Sequence, residues 1–462
     1  MPSSAGRRPT LPDGFLSRMR ELLAGEVEDL VASLDLPRSR GLRINPAKTT
    51  AAELAALLPV ELAPSPASPV GLVVSGGSGL GAHPAHRAGL FYLQDPSAMV
   101  PVEVMAPAAG WRVADVAAAP GGKTTHLLGR VGEEGMVVAN DVSASRLRAL
   151  HENLDRWGSA SVATCTLPLD RLGGWAPGAF DAALLDAPCS GEGLFRREPE
   201  AILQWSDALI AGCARRQSRL LDQTADLVRP GGSLVYSTCT FEVEENEAQI
   251  AGFLERHADW ALEPTGPVTG ARPGLAAPGV EAGATLRIYP QDGLGDGQFV
   301  ALLRRVDGPP PEPEPPARRG RGRGGAERES VARWERFRRE SCPGLTLDPG
   351  RVVARGTAVW YACDLGSGLE RMARPGMPLG VARPGRFQPS QALACHLRPE
   401  DAALRHDLAP EDPRLDRFLH GEELESAGPD GWVLVCYGRW GLGWGRRSQG
   451  TLKNHLPREL RS

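Results

Sequence analysis

The sequence predicts an α/β protein whose central part, from about residue 108 to residue 304, folds as a mostly parallel, doubly wound sheet. Three observations predict this fold. Apolar runs of strand length alternate with helical patterns through the region. A glycine-rich turn at 118–124 (AAPGGKT) joins a predicted strand at 111–117 to a predicted helix at 124–130. Two short cysteine motifs each follow an apolar run that is typical of a buried strand.

Length and composition indicate an ordinary multidomain globular protein. The chain has 462 residues, which is too long for one hydrophobic core and predicts two or three domains. It is 42% hydrophobic and 23% charged, and no apolar run approaches the ~18–20 residues that span a bilayer. No signal peptide is visible, and the eight cysteines lack close paired spacing. We therefore expect free thiols and a cytoplasmic protein.

Four segments are predicted along the chain. They are an N-terminal α/β domain that contacts RNA (1–107), a catalytic domain (108–305), a linker rich in proline, arginine and glycine (306–330), and a C-terminal domain of short strands and turns (331–462). A helical pattern fills the first 35 residues, and a long amphipathic helix is predicted at 207–228, ended by Pro230-Gly231-Gly232. Strands are predicted at 298–305 and 431–437.

The cysteine motifs, DAPCSG at 186–191 and STCT at 237–240, indicate a demanding reaction. Side chains at the carboxyl ends of strands line the ligand crevice of an open α/β sheet. Two thiols there, next to a methyl donor, suit the methylation of carbon 5 of cytosine, because a thiolate that adds to carbon 6 turns the ring into an enamine. A base must then remove the proton from carbon 5 before the enzyme is expelled. One cysteine thus starts the reaction and a second group finishes it.

The glycine-rich turn predicts a site for a nucleotide-containing cofactor. Such a turn lets the backbone approach a ligand and points amide groups at its anionic parts. It lacks the first glycine of the Walker loop, and the dinucleotide pattern is absent. A predicted strand at 136–140 leads to Asp141, where an acid is placed to accept hydrogen bonds from ribose hydroxyls. An ordinary βαβ unit with a glycine turn would show the same two features.

Taken together, the motifs resemble the RsmB/NSUN family of RNA 5-methylcytosine methyltransferases, which use S-adenosylmethionine. The matching segments are GLRIN (41–45), HRAGLFYLQDPSAM (86–99), AAAPGGKT (117–124), DAPCSGEG (186–193), RPGG (229–232) and YSTCTFEVEENE (236–247). The tail WGLGWGRRSQGTLKNHLP (440–457) is similar to the C-terminal domain of the bacterial RsmF branch. The resemblance implies a class I, Rossmann-like methyltransferase core, a small N-terminal α/β domain and a PUA-like RNA-binding domain.

The resemblance also implies catalytic roles. Cys239 matches the nucleophile of the family's Thr-Cys motif, and Cys189 matches the thiol that assists proton removal or release. Spacing alone leaves this order open, because DNA cytosine-5 methyltransferases attack with the Pro-Cys cysteine. Lys123 is expected to favour the thiolate or to contact the cytosine carbonyl, and Asp186 to bind the N3 and amino edge of the base. The other six cysteines are predicted to be small buried side chains.

The predicted S-adenosylmethionine site uses the turn and two acids. The expected cofactor-binding residues are Ala117, Ala118, Ala119, Pro120, Gly121, Gly122, Lys123, Asp141 and Asp186. The family usually supplies another acid for the adenine amino group. Pro168 occupies that position here, with Asp170 two residues on, so the adenine contact stays open. No metal site is expected.

Basic and aromatic residues predict contacts with RNA. Because carbon 6 is unreachable inside a stacked helix, the target base must be single-stranded or flipped. Candidate rim residues are Phe91, Tyr92, Phe195, Arg196, Arg197 and Trp205, and the tail offers Arg439, Arg446, Arg447, Lys453 and His455 interleaved with Trp440 and Trp444. The linker arginines at 318–323 are interpreted as part of a solvated spacer in preference to an RNA-binding arm. Arg43 and Asn45 either orient RNA or brace the N-terminal domain.

The sequence therefore predicts an RNA cytosine-C5 methyltransferase. Its expected substrate is ribosomal RNA, most of all 16S rRNA or the small ribosomal subunit, and it is expected to act as a monomer. Three alternatives remain: a tRNA-directed enzyme with the same chemistry, a DNA cytosine methyltransferase, and a noncatalytic RNA-binding ribosome assembly factor. The second cysteine motif disfavours the DNA enzyme. The presence of Cys189, Cys239, Lys123 and Asp186 argues against the assembly factor.

Overall fold

The computed structural model describes residues 9–38, 40–308, 324–365 and 372–461. The linker arginines at 318–323 lie outside the described residues. Within the described ranges the strands form four sheets, one in the N-terminal part, one in the centre and two in the C-terminal part. No helix in these ranges is long and apolar enough to cross a membrane.

The N-terminal part places short helices around an antiparallel sheet in the order β2-β3-β1-β4. The helical pattern of the first 35 residues forms two helices, because a short turn at Ala24–Glu26 interrupts it. The elements are α1 (Asp13–Leu23), α2 (Val27–Ser33), β1 (Gly41–Ile44), α3 (Ala51–Leu57), β2 (Glu61–Pro64), β3 (Gly71–Ser75), α4 (Pro84–Arg87), β4 (Phe91–Leu93) and α5 (Val100–Met105).

The central part is the doubly wound sheet that the sequence predicts. Its strand order is β11-β12-β13-β9-β8-β5-β6-β7, and β10 also pairs with β13. The elements are β5 (Arg112–Asp115), α6 (Gly122–Val131), β6 (Met136–Asn140), α7 (Ala144–Trp157), β7 (Val162–Cys165), α8 (Leu169–Trp175), β8 (Phe180–Asp186), α9 (Glu200–Gln204), α10 (Asp207–Ala225), β9 (Val228–Thr238), α11 (Glu247–Arg256), β10 (Trp260–Glu263), β11 (Arg272–Pro273), β12 (Leu286–Ile288) and β13 (Gln298–Arg305). The five strands from β9 to β7 pair in parallel.

Both faces of this sheet are buried, because successive side chains of a strand point to opposite faces. Leu184 and Val235 belong to a core that includes residues of α5, α6 and α7. Their neighbours Leu185 and Tyr236 belong to a second core that includes residues of α8, α10 and α11. The strands therefore read as continuous apolar runs, which is the pattern that identified them in the sequence.

Two details of the central part differ from the prediction. The helix predicted at 207–228 ends at Ala225, and Pro230-Gly231-Gly232 lies inside β9. The pairing of β8 with β9 shifts register there, and proline and glycine are tolerated in a strand at such an irregularity. The strand at 298–305 is antiparallel as expected, but it is not at the sheet edge. It pairs with β9 on one side, while β12 and β10 pair with it on the other.

The C-terminal part contains a sheet in the order β14-β15-β16-β17 and a second in the order β18-β20-β21-β22-β19. Its elements are α12 (Gly325–Ser341), β14 (Val352–Arg355), β15 (Ala358–Ala362), β16 (Gly376–Arg383), β17 (Arg386–Pro389), α13 (Gln391–His396), β18 (Arg405–Leu408), α14 (Pro413–Leu419), β19 (Leu424–Glu425), β20 (Gly431–Tyr437), β21 (Trp440–Ser448) and β22 (Thr451–Asn454). Helix α12 begins inside the predicted linker, which was expected to reach residue 330. Buried side chains of the N-terminal sheet and of the second C-terminal sheet share one core.

Candidate active site

A cleft of about 280 Å³ lies at the carboxyl ends of the parallel strands. The chain runs outward from β5 through β6 to β7, then returns to add β8 and β9 on the other side of β5. The gap between β5 and β8 is the topological switch point, where open α/β sheets bind ligands. Most of the predicted site residues line this cleft, namely Ala117–Pro120, Gly122, Lys123, Asp186 and Cys239.

The glycine-rich turn forms one wall of the cleft. Gly121 adopts a φ of 108°, which favours glycine, and precedes the first turn of α6. A Cβ atom on Gly122 would lie 3.3 Å from the Tyr92 ring, so the absence of a side chain leaves room in the cleft. Asp115, at the end of β5, accepts a hydrogen bond from Thr124 Oγ1 at 2.6 Å. Its other oxygen is buried and has no hydrogen-bond partner among the described residues, and burial raises the pKa of the carboxyl to about 7.

Asp141 is buried next to the turn. One carboxylate oxygen accepts a hydrogen bond from the Ala119 N–H at 3.2 Å, and the other accepts one from the Ser143 N–H at 2.9 Å. Arg146 Nη1 lies 3.5 Å from the first oxygen. The acid thus braces the cofactor turn, and its predicted contact with a ribose stays a prediction. Asp170 is exposed in the first turn of α8, and the adenine contact stays open.

Arg43 connects the N-terminal sheet to the same turn. Its buried guanidinium donates hydrogen bonds to Gln94 Oε1 at 3.0 Å, to the Gly122 carbonyl at 3.1 Å and to Thr125 Oγ1 at 2.6 Å. Asn45 donates to the carbonyls of Gly89 and Trp157. Of the two roles that the sequence left open for Arg43 and Asn45, the structure therefore supports bracing.

Lys123 and Asp186 form an ion pair inside the cleft. Lys123 Nζ lies 2.7 Å from Asp186 Oδ2. The second oxygen, Oδ1, accepts hydrogen bonds from Ser237 Oγ at 2.8 Å and Gln298 Nε2 at 3.3 Å. The carboxylate is held from three sides and still lines the cleft, so both groups can face a ligand.

The two motif cysteines lie side by side. Cys189 Sγ and Cys239 Sγ are 3.3 Å apart, although fifty residues separate them in the sequence. Cys239 lines the cleft. The hydrogen bond between the thiols and burial raise the pKa of Cys189 well above its usual value. All six of the other cysteines are buried, as predicted.

Several predicted rim residues are structural. Phe91 and Phe195 are fully buried, and Trp205 is buried with its Nε1 donating to Glu192 Oε1 at 2.7 Å. They fail as RNA contacts because aromatic side chains at these positions pack into cores. Tyr92 and Arg197 line the cleft.

Asp95, Asp296 and Gln298 line the cleft and were missed as site residues by the sequence reasoning. Arg196 pairs with Asp296 at 2.6 Å, so its side chain is not free for RNA. The Asp296 N–H donates to Asp95 Oδ1 at 3.2 Å. Burial and the nearby negative charge of Asp296 raise the pKa of Asp95 to about 6. Asp95 and Asp296 lie in segments that the sequence analysis singled out, 86–99 and 295–299. No local pattern predicts a contact between positions about 200 residues apart.

The tail residues divide into a buried group and an exposed group. Trp444 and Arg447 are buried, and Trp440 Nε1 donates to the Lys48 carbonyl at 2.9 Å. Arg439 pairs with Glu53 of the N-terminal part. Their prediction as RNA contacts is therefore wrong for Trp444 and Arg447, while Trp440 and Arg439 join two parts of the chain. Arg446, Lys453 and His455 are exposed.

The sheet, the glycine turn and the switch-point cleft define a class I S-adenosylmethionine-dependent methyltransferase. Comparison with known proteins then identifies the family. The family described as 16S rRNA methyltransferase RsmB/F matches residues 102–304. The N-terminal domain of 16S rRNA methyltransferase RsmF matches residues 11–96, and the RsmF PUA domain matches residues 405–462.

Full-length relatives agree with these matches. Ribosomal RNA small subunit methyltransferase F of Serratia proteamaculans is 33% identical, with 97% of this chain and 96% of the relative covered. The protein of the same name from Escherichia coli O127:H6 is 34% identical over the same shares. The chain therefore belongs to the RsmB/F family and is an RNA methyltransferase that uses S-adenosylmethionine.

Two solved structures each resemble 64% of the chain. A methyltransferase homolog protein from Pyrococcus horikoshii is 30% identical, with a TM-score of 0.55, and covers 64% of this chain and 100% of its own. NSun6 from Pyrococcus horikoshii, at 24% identity and a TM-score of 0.56, covers 64% and 99% and shows the fold alone.

Brief alkylation of the native protein tests the exposure of the thiols. We expect iodoacetamide to modify Cys239 first, because it lines the cleft, whereas the six buried cysteines are protected. Peptide mass spectrometry over a time course measures the order. Modification of buried Cys165 or Cys436 as early as Cys239 would contradict this arrangement, and the unfolded protein serves as the control in which all eight react.

Proposed function

We propose that the protein methylates carbon 5 of cytosine in 16S rRNA through a covalent bond between Cys239 and carbon 6. The observation that carries the proposal is the pair of thiols 3.3 Å apart beside the Lys123–Asp186 ion pair. Methylation at a nitrogen or a ribose hydroxyl needs no such pair, whereas carbon 5 requires a nucleophile to add and then to leave. The names of the relatives support small-subunit ribosomal RNA as the substrate.

The cleft fits S-adenosylmethionine at the glycine turn. We assign its binding to Ala117–Lys123, with Asp141 and Asp186 as the neighbouring acids. The space left by Gly122 and the free carboxylate oxygen of Asp115 support this assignment, because an ammonium group needs a close approach and an acceptor. When bound, the cofactor would supply an electrophilic methyl group to carbon 5 and leave as S-adenosylhomocysteine.

The reaction begins when the Cys239 thiolate bonds to carbon 6 of the base. The π electrons of the 5,6 double bond then shift toward carbon 4 and N3. The product is an enamine, in which carbon 5 is nucleophilic. Asp186 accepts a hydrogen bond from the amino group of the base, and a proton taken up from solvent lies between its carboxylate and N3. That proton favours the addition because it neutralises the negative charge that develops on the ring. Lys123 holds Asp186 in place and provides the positive charge that favours a thiolate in the cleft.

Release reverses the first step. Once carbon 5 carries both the methyl group and a proton, a water molecule in the cleft removes the proton as the base. The C–H electron pair re-forms the 5,6 double bond, and the bond to Cys239 breaks with its electron pair leaving on the sulfur as a thiolate. The raised pKa of Cys189 keeps it a thiol, and its S–H donates a hydrogen bond across 3.3 Å that stabilises the departing Cys239 thiolate. Cys189 is therefore assigned to release, and Cys239 to attack.

Replacement of each cysteine separates these two roles. We expect Cys239→Ala to abolish methyl transfer and adduct formation, and Cys189→Ala to accumulate a protein–RNA adduct that survives denaturing electrophoresis. The measurement is tritiated methyl transfer to undermethylated small subunits, followed alongside the adduct.

Cys436→Ala, a buried cysteine of the C-terminal sheet, is the matched control and should retain wild-type turnover. An adduct that requires Cys189 in place of Cys239 would exchange the two assignments.

RNA phosphates are assigned to a basic surface on the C-terminal part. We define this basic surface as Arg386, Arg446, Lys453 and His455, all exposed. Arg446 and Lys453 are paired positions on β21 and β22, and the His455 ring lies 4.7 Å from the Trp432 ring. Partial burial of the ring and then the positive charges of Arg446, Arg386 and Lys453 lower the pKa of His455, which supports close grouping of these three cations around it. Clustered cations beside an aromatic ring suit an RNA backbone and its bases.

Charge reversal on the basic surface tests this assignment. The Arg446→Glu, Lys453→Glu variant should bind ribosomal RNA more weakly across sequences. The slope of log affinity against log salt should fall by roughly 0.7–0.9 for each phosphate that the variant no longer binds. Filter binding over a salt series measures both.

Arg328→Glu changes an exposed arginine of α12 outside the basic surface and is the matched control. An unchanged salt slope in the double variant would contradict the assignment.

Four expectations from the sequence remain predictions: the division of the chain at 107, 305 and 330, the monomeric state, the absence of a metal and the cytoplasmic location. A ribosomal substrate supports the last of these.

A further inference from the structure

We propose that Glu245 is a positioning residue that holds Cys189 beside Cys239 for enzyme release, an inference that rests on the covalent mechanism proposed above. Glu245 is fully buried. It does not belong to the cleft lining in the described part of the chain, so it acts through Cys189 and not on the substrate.

The Glu245 carboxylate binds the residue that follows Cys189. It accepts hydrogen bonds from the Ser190 N–H at 3.1 Å and from the Ser190 hydroxyl. Gln217 of α10 donates its Nε2 to the same carboxylate at 2.6 Å and to the Pro188 carbonyl at 3.0 Å. Glu245 and Gln217 therefore hold the backbone on both sides of Cys189, although both are distant from it in the sequence.

The same network reaches the residue that follows Cys239. Ser190 Oγ lies 2.9 Å from Thr240 Oγ1, and the Gly193 N–H donates to the Cys239 carbonyl at 2.8 Å. Tyr236 of β9 donates its hydroxyl to the Glu245 carbonyl at 2.7 Å. Glu245 thus connects the Cys189 loop, through its carboxylate, to β9, through its backbone carbonyl. Because β9 ends one residue before Cys239, these contacts hold the two sulfurs near each other.

The charge of Glu245 acts in the same direction as its geometry. Burial raises the pKa of the Glu245 carboxyl to about 7. In its ionised form its negative charge helps to raise the pKa of Cys189, after the hydrogen bond with Cys239, burial and the charge of Cys239. A thiol that keeps its proton can donate a hydrogen bond to the departing thiolate, whose sulfur lies 3.3 Å away. The positioning network therefore supports both the place and the protonation state that release requires.

The test compares Glu245→Gln with Cys189→Ala in tritiated methyl transfer to undermethylated small subunits. Glutamine has the same size as glutamate, but one of its two terminal groups is an NH2 donor. That donor faces a Ser190 or Gln217 donor, so one hydrogen bond of the carboxylate is lost. We expect turnover to fall roughly ten- to hundredfold, as for loss of a charge-assisted hydrogen bond.

The covalent adduct should accumulate as in Cys189→Ala, and S-adenosylmethionine binding should stay unchanged. The double variant Cys189→Ala, Glu245→Gln should be no worse than Cys189→Ala, because both changes remove one function.

Two further variants keep the test decisive. Glu242→Gln is the matched control, since it changes a second buried acid of the same loop that pairs with Arg18 and does not contact Ser190; it should turn over like the wild type. Ser190→Ala removes one hydrogen bond to Glu245. It should accumulate more adduct than the wild type but less than Cys189→Ala, and it provides the test if Glu245→Gln folds poorly.

The inference is overturned if Glu245→Gln releases product as fast as the wild type, or if Ser190→Ala and Glu245→Gln both lose methyl transfer without an adduct. It is also overturned if the double variant is far worse than Cys189→Ala. A different pattern marks failure of the proposed function itself: the wild type and Cys189→Ala then form no adduct that depends on Cys239.

Discussion

The parallel pairing of β8 with β9 is the constraint on which the active site depends. Asp186 and Ser237 are register partners at the ends of these strands, and the Ala187 N–H donates to the Ser237 carbonyl at 2.8 Å. Because parallel strands end at one edge of the sheet, the two cysteine loops leave the sheet together. A slip of one residue would send each strand's side chains to the opposite face and would separate the thiols.

The remaining groups of the site are arranged around this edge by parts of the chain that are distant in sequence. The turn after β5 brings Lys123 against Asp186, and β13 brings Gln298 to the same carboxylate. The N-terminal sheet braces the turn through Arg43. The cleft is thus formed jointly by elements of the N-terminal and central parts.

The fold class was predictable, and the residues proposed for the site could be selected, because both depend on local patterns in the sequence. Apolar runs indicated the strands, and motifs at strand ends identified Cys189, Cys239, Lys123 and the turn. The rest depends on contacts between distant positions. Burial of Phe195 and Arg447, the internal place of β13 and the approach of Asp296 to Asp95 follow from packing that no local pattern records. Arg43 is an example: the sequence allowed either RNA binding or bracing, and only its contacts with the distant turn distinguish the two roles.

The central claim is that the methyl group goes to carbon 5 of cytosine, and release of the hydrogen at that carbon tests it most directly. The measurement uses undermethylated ribosomal RNA labelled with tritium at carbon 5 of cytosine and unlabelled S-adenosylmethionine, with the released tritium counted in water. We predict one tritium released for each methyl group transferred. Methyl transfer without release of tritium would place the methyl group on another atom and would contradict the covalent mechanism.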